Sequence, residues 1–300
     1  MNENLSRSQF NQMETAEKQA LMERLAARYD MAFLGLRTFD RWGQNCTTGV
    51  FERDSREFVF VPGDTVTLGW NHFALGLNQD SREELDYLFQ EWEMEQDPEG
   101  LIRESMAPVR QADIGPMLVG RELEELCWEP VKMNDPRVTA HPDWLKKFRE
   151  FAWSDLDSLT LHKSTRIERT EKGFQIWIYN RTDYDELLAG LEKQGLSLPT
   201  ADEWAYLCGG GCRTLFPWGD GMDYSMRLHH FESPEDEDKP FDMEKPNFFG
   251  LSIAYDPYMR EIVKAEQFTT CGGDGGCNIC GGLGIFLGFL PCSPHCKPEV

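Results

Sequence analysis

The sequence predicts an α+β fold for a chain of 300 residues. Helical periodicity and short segments rich in β-branched and aromatic residues occur in mixed order, without the regular strand–helix alternation of a parallel sheet. Hydrophobic residues make up 40% of the chain and tryptophan occurs nine times, so a sizeable core can be buried. Beyond residue 247, glycine, proline and cysteine dominate and predict mostly loop.

The N-terminal stretch predicts an amphipathic helix over residues 6–29. Apolar residues such as Phe10 and Leu25 recur there at helical spacing, and Ser6 or Ser8 is placed to cap the helix. We expect this helix to pack on the body of the protein rather than to bind a partner.

Local signals place further elements along the chain. Residues 31–70 predict a β-hairpin or meander, and residues 81–96 predict a helix with Ser81 as its N-cap and Glu84 completing a capping box. Pro199 and Thr200 introduce a helix in SLPTADEWAYLC. The remaining expectations are a strand in PMLVGREL, a helix in HPDWLKKFREFAW, two strands in TRIERTEKGFQIWIYN and a helix in DYDELLAGLEKQG.

The segment 232–246, ESPEDEDKPFDMEKP, is acidic and contains three prolines. Desolvating its carboxylates would be costly, and only Phe241 and Met243 offer apolar surface in return. We expect an exposed loop that is dispensable for folding.

Charge and cysteine content limit the classes of function. The net charge of −22 disfavours nucleic acid or an anionic membrane as a partner. The N-terminus lacks the apolar stretch of a signal peptide, and GIFLGFLP is too short to cross a bilayer, so we expect a cytoplasmic protein. Nine cysteines are an odd number, and in a reducing compartment thiol chemistry or metal ligation is favoured over a disulfide framework.

Three segments stand in a characteristic order: FVFVPGDTVTLGW (58–70), GLSLPTADEWAYLCGGGCRTLFPWGDG (195–221), and PNFFGLSIAYDPYMREIV (246–263) followed by CGGDGGC. Together they resemble the formylglycine-generating enzyme family, also called the sulfatase-modifying factor family. The LPT-x-x-EW helix start followed by the PWG turn is the most specific of these signals. The resemblance implies a loop-rich C-type-lectin-like fold, an α+β body with the N-terminal helix packed on it.

The resemblance also implies a domain organisation. Residues 1–30 supply the N-terminal helix, and residues 31–300 form a single domain with a divergent insertion at about 71–165, because the family-like segments are dispersed from residue 58 onward.

The resemblance further implies an activity and a metal. Active members of the family hold Cu(I) between two cysteines and use oxygen to oxidise a substrate cysteine to formylglycine. Cys277 follows the Gly272–Gly273 turn at the spacing of the first of those cysteines. The position of the second is Gly282, and Cys280 is the nearest replacement. Cys277 and Cys280 are therefore the candidate catalytic residues.

A metal site is also suggested by the cysteine spacing itself. Cys277 and Cys280 form a CxxC unit, which can direct two thiolates at one soft ion. A zinc site needs a second pair, which Cys292 and Cys296 or Cys208 and Cys212 would supply. The candidate metal ligands are Cys277, Cys280, Cys271, Cys292 and Cys296, with copper as the metal that the resemblance implies and zinc as the alternative.

Three functions remain open. The first is a metal- and oxygen-dependent, or at least thiol-dependent, enzyme that modifies a peptide or small molecule. The second is a non-catalytic binding protein on the same fold, because YMREIV (258–263) replaces the family's Gly-Asn-x-Trp-Glu-Trp stretch. The third is a structural zinc protein whose C-terminal cysteines staple an irregular tail. We predict that Cys277 and Cys280 face one cleft near the LPTADEW–FPWGDG segment.

Overall fold

The computed structural model describes residues 5–170, 173–229 and 241–300. The chain divides into two compact units: the first comprises Met1–Leu123 and Ser197–Val300, and the second comprises Glu124–Leu196. In chain order the elements are α1 (Arg7–Gln12), α2 (Thr15–Tyr29), β1 (Ala32–Arg41), β2 (Gln44–Arg53), β3 (Arg56–Val61), β4 (Asp64–Leu68), α3 (Gln79–Glu91), α4 (Pro98–Ser105), β5 (Arg110–Ile114), β6 (Met117–Gly120), β7 (Trp128–Val131), α5 (Pro136–Thr139), α6 (Pro142–Ala152), β8 (Ser158–Leu161), β9 (Thr165–Thr170), β10 (Gly173–Tyr179), α7 (Tyr184–Lys193), α8 (Ala201–Gly209), β11 (Glu261–Val263), β12 (Thr269–Cys271), α9 (Gly275–Cys280) and α10 (Gly284–Gly288), with a final 3₁₀ turn at Leu290–Cys292.

The mixture of helices with antiparallel sheets confirms the predicted α+β class. The single predicted N-terminal helix is wrong in one respect, because it is divided into α1 and α2. Met13 and Glu14 both adopt extended backbone angles between the two helices. Glu14 then starts α2 through reciprocal hydrogen bonds with Glu17. On α1, Phe10 is fully buried, and its ring centroid lies 5.2 Å from that of Phe60 on β3.

The first unit contains a sheet in the order β1-β2-β3-β6, with every neighbouring pair antiparallel. The β-hairpin or meander predicted over residues 31–70 is therefore confirmed as a meander for residues 32–61 only. β4 leaves this sheet and pairs with β5 instead. Gly63 stands at that departure, and a Cβ on it would lie 2.4 Å from the carbonyl oxygen of Ile114. A bare glycine thus permits the close approach of the two backbones.

The helix predicted over residues 81–96 starts and ends earlier than expected. α3 begins at Gln79, and Asn78 is its N-cap through a hydrogen bond from the amide of Ser81. Ser81 is itself buried, and its hydroxyl accepts a hydrogen bond from the amide of Met222. The predicted N-cap therefore ties α3 to the segment after the PWG turn.

The core of the first unit lies where α3, α4, α10 and the FPWGDG segment meet. Its buried members include Trp70, Leu85, Ile102, Phe216, Phe286 and Phe289. The rings of Phe216 and Phe286 have centroids 5.9 Å apart, which joins the PWG turn to α10. Asp220 of this turn is 2% exposed and accepts backbone hydrogen bonds from Leu75, Gly76 and Leu215. Its carboxylate holds the 72–78 loop against the core.

Part of the segment predicted as an exposed loop is buried. Residues 232–240 lie outside the described residues, but Met243 is 5% exposed and belongs to the core of the first unit. Asp242 exchanges hydrogen bonds with the backbone of Arg227. The expectation that all of 232–246 is exposed is thus wrong for Met243. The side chain of Met243 is buried in the apolar core although the residues beside it are acidic.

The second unit contains a sheet in the order β7-β10-β9-β8 with α6 packed on it. The predicted helix in HPDWLKKFREFAW and the two strands in TRIERTEKGFQIWIYN are confirmed. The buried side chains are Val138, Phe148, Phe151, Ile167, Ile176 and Ile178. Among all described helices, none is both long and apolar enough to cross a membrane.

Candidate functional site

The glycine-rich stretch CGGDGGCNICGG was expected to be a loop, but half of it is helical. After β12, Gly272, Gly273 and Asp274 take positive φ angles of 72°, 80° and 61°. These left-handed residues separate β12 from the next helix, and glycine adopts the left-handed conformation without a steric cost. The short helix α9 follows at once, from Gly275 to Cys280.

Bare glycines hold α9 against its neighbours. A Cβ on Gly275 would lie 1.8 Å from the carbonyl oxygen of Gly288 on α10. A Cβ on Gly276 would lie 2.1 Å from the ring of Tyr258. In the reverse direction, a Cβ on Gly288 would lie 2.3 Å from the side chain of Ile279. One face of α9 is therefore fixed by close packing, which its glycines make possible.

The opposite side of α9 carries the two candidate thiols. Of the nine cysteines, all in the described residues, only Cys277 and Cys280 are exposed. They lie three residues apart on one helix, a spacing that brings side chains to the same face. The Cys277 thiol donates a hydrogen bond to the Asp274 carboxylate, and the Cys280 sulfur lies 4.0 Å from the Tyr258 hydroxyl.

The charges beside the thiols form a short chain. Arg260 lies 3.4 Å from a carboxylate oxygen of Asp274 and also pairs with Glu299. The hydrogen bond with Asp274, followed by the charge of its carboxylate, raises the pKa of the Cys277 thiol above its ordinary value. The same hydrogen bond, with Arg260, lowers the pKa of Asp274. Asp274 therefore stays ionised, and its carboxylate accepts the hydrogen bond of the protonated Cys277 thiol.

The other predicted metal ligands lie in a different environment. Cys271 and Cys292 are each 1% exposed, and Cys296 is half-buried. Burial raises the pKa of Cys271 to about 12 and that of Cys296 to about 11. Desolvation also keeps the pKa of Cys292 well above its ordinary value. These thiols are protonated small side chains at neutral pH.

No shared metal centre emerges from the predicted ligands. Across residues 5–170, 173–229 and 241–300, no three His, Cys, Asp or Glu side chains are grouped to hold one metal ion. Cys208 and Cys212, the other candidate second pair for zinc, flank the end of α8: the helix ends at Gly209, Gly210 takes φ 60°, and Cys208 is buried while Cys212 is half-buried.

Glu261 is a half-buried residue whose carboxylate interacts electrostatically with the buried thiols of Cys208, Cys271 and Cys292. It accepts hydrogen bonds of 2.7 Å from the indole N–H of Trp204 and 2.7 Å from the amide of Ala254. Desolvation raises its pKa to about 7 despite these two donors. Trp204 is 1% exposed and belongs to the core. Glu261 thus joins β11 to α8 rather than lining an open surface.

Other polar residues of the sequence take structural positions. Thr200 and Glu203 form the reciprocal capping box that starts α8, which confirms the helix predicted to follow Pro199 and Thr200. His229 is exposed and pairs with Glu244, and His230 lies outside the described residues. Neither Asp274 nor Tyr258 was singled out from the sequence. Asp274 lies three residues before Cys277, so its nearness to that thiol could have been predicted from the sequence. Tyr258 is distant from Cys280 in sequence, and only the folded chain brings the two together.

Both thiols therefore lie on an exposed helix surface beside Tyr258 and Asp274. α9 reaches the FPWGDG segment through α10, whose Phe286 packs on Phe216. The cleft expected between the thiols and the LPTADEW–FPWGDG segment stays a prediction. Comparison with family models, with curated proteins and with solved structures finds no match to this chain.

Proposed function

We propose that Cys277 and Cys280 together hold one Cu(I) ion, and that the chain is a divergent enzyme of the formylglycine-generating type that modifies a peptide or small molecule. One observation carries the proposal: these are the two exposed thiols among nine cysteines, and they lie one turn apart on an anchored helix. Thiolates are soft ligands that select Cu(I).

The donor set favours copper over zinc. A structural zinc ion is held by four ligands, and even a catalytic zinc ion has three protein ligands. The described residues offer two exposed thiols without a third grouped donor, a set that fits a Cu(I) ion held between two sulfurs. Bound there, Cu(I) would supply the reaction with oxygen that oxidation of a substrate thiol requires.

The chain's own residues have distinct parts in this proposal. Cys277 and Cys280 bind the ion, and each must lose its proton to do so. Asp274, hydrogen-bonded to Cys277, orients that thiol. The packed glycines fix the backbone of α9, which carries both cysteines, in the metal-free protein. Less conformational entropy is then lost when a metal binds.

The body that carries α9 is proposed to be C-type-lectin-like, as the motif resemblance implies. The capped LPTADEW helix, the PWG turn packed on α10 and the preceding meander support this. The nine free thiols support a reducing compartment, and we place the protein in the cytoplasm.

Competition with a chromogenic Cu(I) chelator, under nitrogen and without added thiols, tests the site. The wild type is expected to retain one equivalent of Cu(I), while Cys277→Ser and Cys280→Ser each lose at least tenfold in affinity. Cys127→Ser, which removes a half-buried thiol of the second unit, is the matched control. Equal affinity for all four proteins would contradict the proposal.

A second candidate is a non-catalytic Cu(I)-binding protein on the same fold. The open position of both thiols favours it, since an exposed pair can pass its ion to another thiol protein. Oxygen uptake separates the two functions. The enzyme, loaded with Cu(I), consumes oxygen when a cysteine peptide is added, whereas the binding protein does not.

A further inference from the structure

The nine thiols of the chain differ sharply in their access to solvent. Cys46, Cys208, Cys271 and Cys292 are buried, and Cys127, Cys212 and Cys296 are half-buried. A thiol enclosed in apolar surroundings is both inaccessible and disfavoured as a thiolate. Reactions with solutes therefore concentrate on α9, where Cys277 and Cys280 are exposed together.

We propose that Cys277 and Cys280 form a dithiol that exchanges with small disulfides and closes to a Cys277–Cys280 disulfide. This activity goes beyond the copper site and does not depend on it, because the metal-free protein suffices. The substrate class is a low-molecular-weight disulfide, with cationic disulfides favoured over anionic ones.

Helix geometry allows the bond. Residues three apart in an α-helix have Cα atoms about 5 Å apart, inside the range of roughly 4.4–6.8 Å that disulfides span. The helix ends directly after Cys280, and Gly282 and Gly284 follow with φ angles of 82° and 78°. The last turn can therefore tighten to bring the sulfurs together without disrupting a longer helix.

The anchors of α9 do not involve the thiols. Gly275 lies against Gly288, Ile279 packs on the same residue, and the side-chain amide of Asn278 donates a hydrogen bond of 3.2 Å to the carbonyl of Leu287. Closing the disulfide thus leaves the packing of α9 on α10 in place. A pair with both sulfurs outside the packed face can cycle between two states at little structural cost.

The exchange is balanced in two steps. First, one protein thiolate attacks the disulfide R–S–S–R, which forms a protein–S–S–R mixed disulfide and releases RS⁻. Second, the other protein thiolate attacks the protein sulfur of that mixed disulfide, which forms the Cys277–Cys280 bond and releases the second RS⁻. The two protons lost by the protein end on the two released thiols. The protein dithiol is oxidised and the small disulfide is reduced.

Charge sets the preference among disulfides. Asp274 and Glu299 share the single guanidinium of Arg260 beside the thiols, and Asp256 adds a further carboxylate next to Tyr258. The chain as a whole carries −22. Cystamine, a dication, is therefore concentrated near α9, whereas glutathione disulfide is repelled.

Intact mass and peptide mapping of the metal-free, fully reduced protein test the proposal, with cystamine as the probe under nitrogen. The wild type is expected to lose two hydrogens through a Cys277–Cys280 bond and to release two cysteamines. Cys277→Ser and Cys280→Ser each stop at one mixed disulfide on the remaining thiol, and Cys127→Ser reacts as the wild type does.

Two outcomes would overturn the inference: no reaction of the α9 thiols, or two stable mixed disulfides without ring closure in the wild type. At low ionic strength, cystamine is expected to react at least threefold faster than glutathione disulfide, and added salt to narrow the difference; equal rates at low salt would refute the charge preference. Because no metal is present, failure here leaves the copper proposal intact, and failure of copper binding leaves this exchange intact.

Discussion

The Cys277 thiol donates a hydrogen bond to the carboxylate of Asp274, which in turn pairs with Arg260. This pair stands at the start of α9 and ties the reactive sulfur to the left-handed turn that precedes the helix. The hydrogen bond orients the thiol, and the negative charge of Asp274 raises its pKa. Both consequences can be measured.

Replacing Asp274 by Asn removes the negative charge that raises the pKa of Cys277. A lower pKa gives more thiolate at neutral pH, so alkylation of Cys277 by iodoacetamide is expected to accelerate about threefold to tenfold. Peptide-resolved mass spectrometry over pH 6–9 measures the rate at Cys277 alone. Glu266→Gln, an exposed carboxylate in the β11–β12 turn, is the control. An unchanged rate in Asp274→Asn would show that the carboxylate does not govern this thiol.

Replacing Gly275 by Ala places a methyl group 1.8 Å from the carbonyl oxygen of Gly288. Backbone must move to relieve this overlap, so we expect a loss of about 1–3 kcal/mol in the free energy of unfolding. Gly190→Ala, in α7, meets nothing within 4 Å and is expected to be neutral or stabilising by up to about 1 kcal/mol. Urea denaturation compares the two. Equal stability of both variants would contradict the close packing of α9 on α10.

The position of α9 also marks what local sequence signals could and could not predict. The β1–β2–β3 meander and the α8 capping box follow from local patterns that the fold keeps. The glycine content of CGGDGGCNICGG predicts loop, because glycine disfavours isolated helices. α9 forms nevertheless, since contacts with Gly288 and Tyr258, distant in sequence, compensate for that weak propensity.

Only the local part of the candidate site could be predicted from the sequence. The CxxC spacing identified Cys277 and Cys280, and their shared exposure agrees with a functional pair. The sequence does not show that Cys271 and Cys292 are buried while Cys277 and Cys280 are exposed, because burial is decided by tertiary packing. The break between α1 and α2 was missed because apolar spacing continues across Met13.

Two titratable groups of the first unit, the Glu261 carboxyl and the His295 imidazole, have desolvation as the main cause of their pKa shifts and change the stability in opposite directions as pH rises. The Glu261 carboxyl has its pKa raised from 4.5 to about 7, mainly by desolvation. The unfolded chain releases that proton first, so Glu261 makes the protein less stable as pH rises from about 4.5 to 7. The His295 imidazole has its pKa lowered from 6.5 to about 4 by desolvation, so it makes the protein more stable as pH rises from about 4 to 6.5.

In the wild type, the opposite effects of Glu261 and His295 on the free energy of unfolding are expected to cancel between about pH 4.5 and 6.5. Glu261→Gln removes the effect of Glu261 and leaves that of His295. The free energy of unfolding of this variant, relative to the wild type, should therefore fall by on the order of 3 kcal/mol from pH 6.5 to 4.5. His295→Gln should show the reverse trend and gain stability relative to the wild type over the same range. Urea unfolding at each pH measures both. Parallel pH profiles for all three proteins would show that neither group has a shifted pKa.

Replacing Asp220 by Asn weakens the hold on the 72–78 loop. The carboxylate accepts backbone hydrogen bonds from Leu75, Gly76 and Leu215, and an amide group offers one acceptor oxygen in place of two. We expect a loss of about 1–3 kcal/mol in the free energy of unfolding and faster amide exchange at Leu75 and Gly76. Asp223→Asn, at an exposed carboxylate that accepts hydrogen bonds from the amide and hydroxyl of Ser225, should change stability by less than about 0.5 kcal/mol. Equal losses in both variants would contradict the assigned role of Asp220.

Cys277 and Cys280 are proposed to hold one Cu(I) ion between their sulfurs. Copper K-edge absorption spectroscopy of the protein, loaded with one equivalent of Cu(I) in a thiol-free buffer, reports the ligands directly. The spectrum of the wild type is expected to show two sulfur scatterers and no nitrogen, and that of Cys280→Ser to show one sulfur fewer. A wild-type spectrum with nitrogen or oxygen ligands, with three or more sulfurs, or identical to that of Cys280→Ser would contradict it.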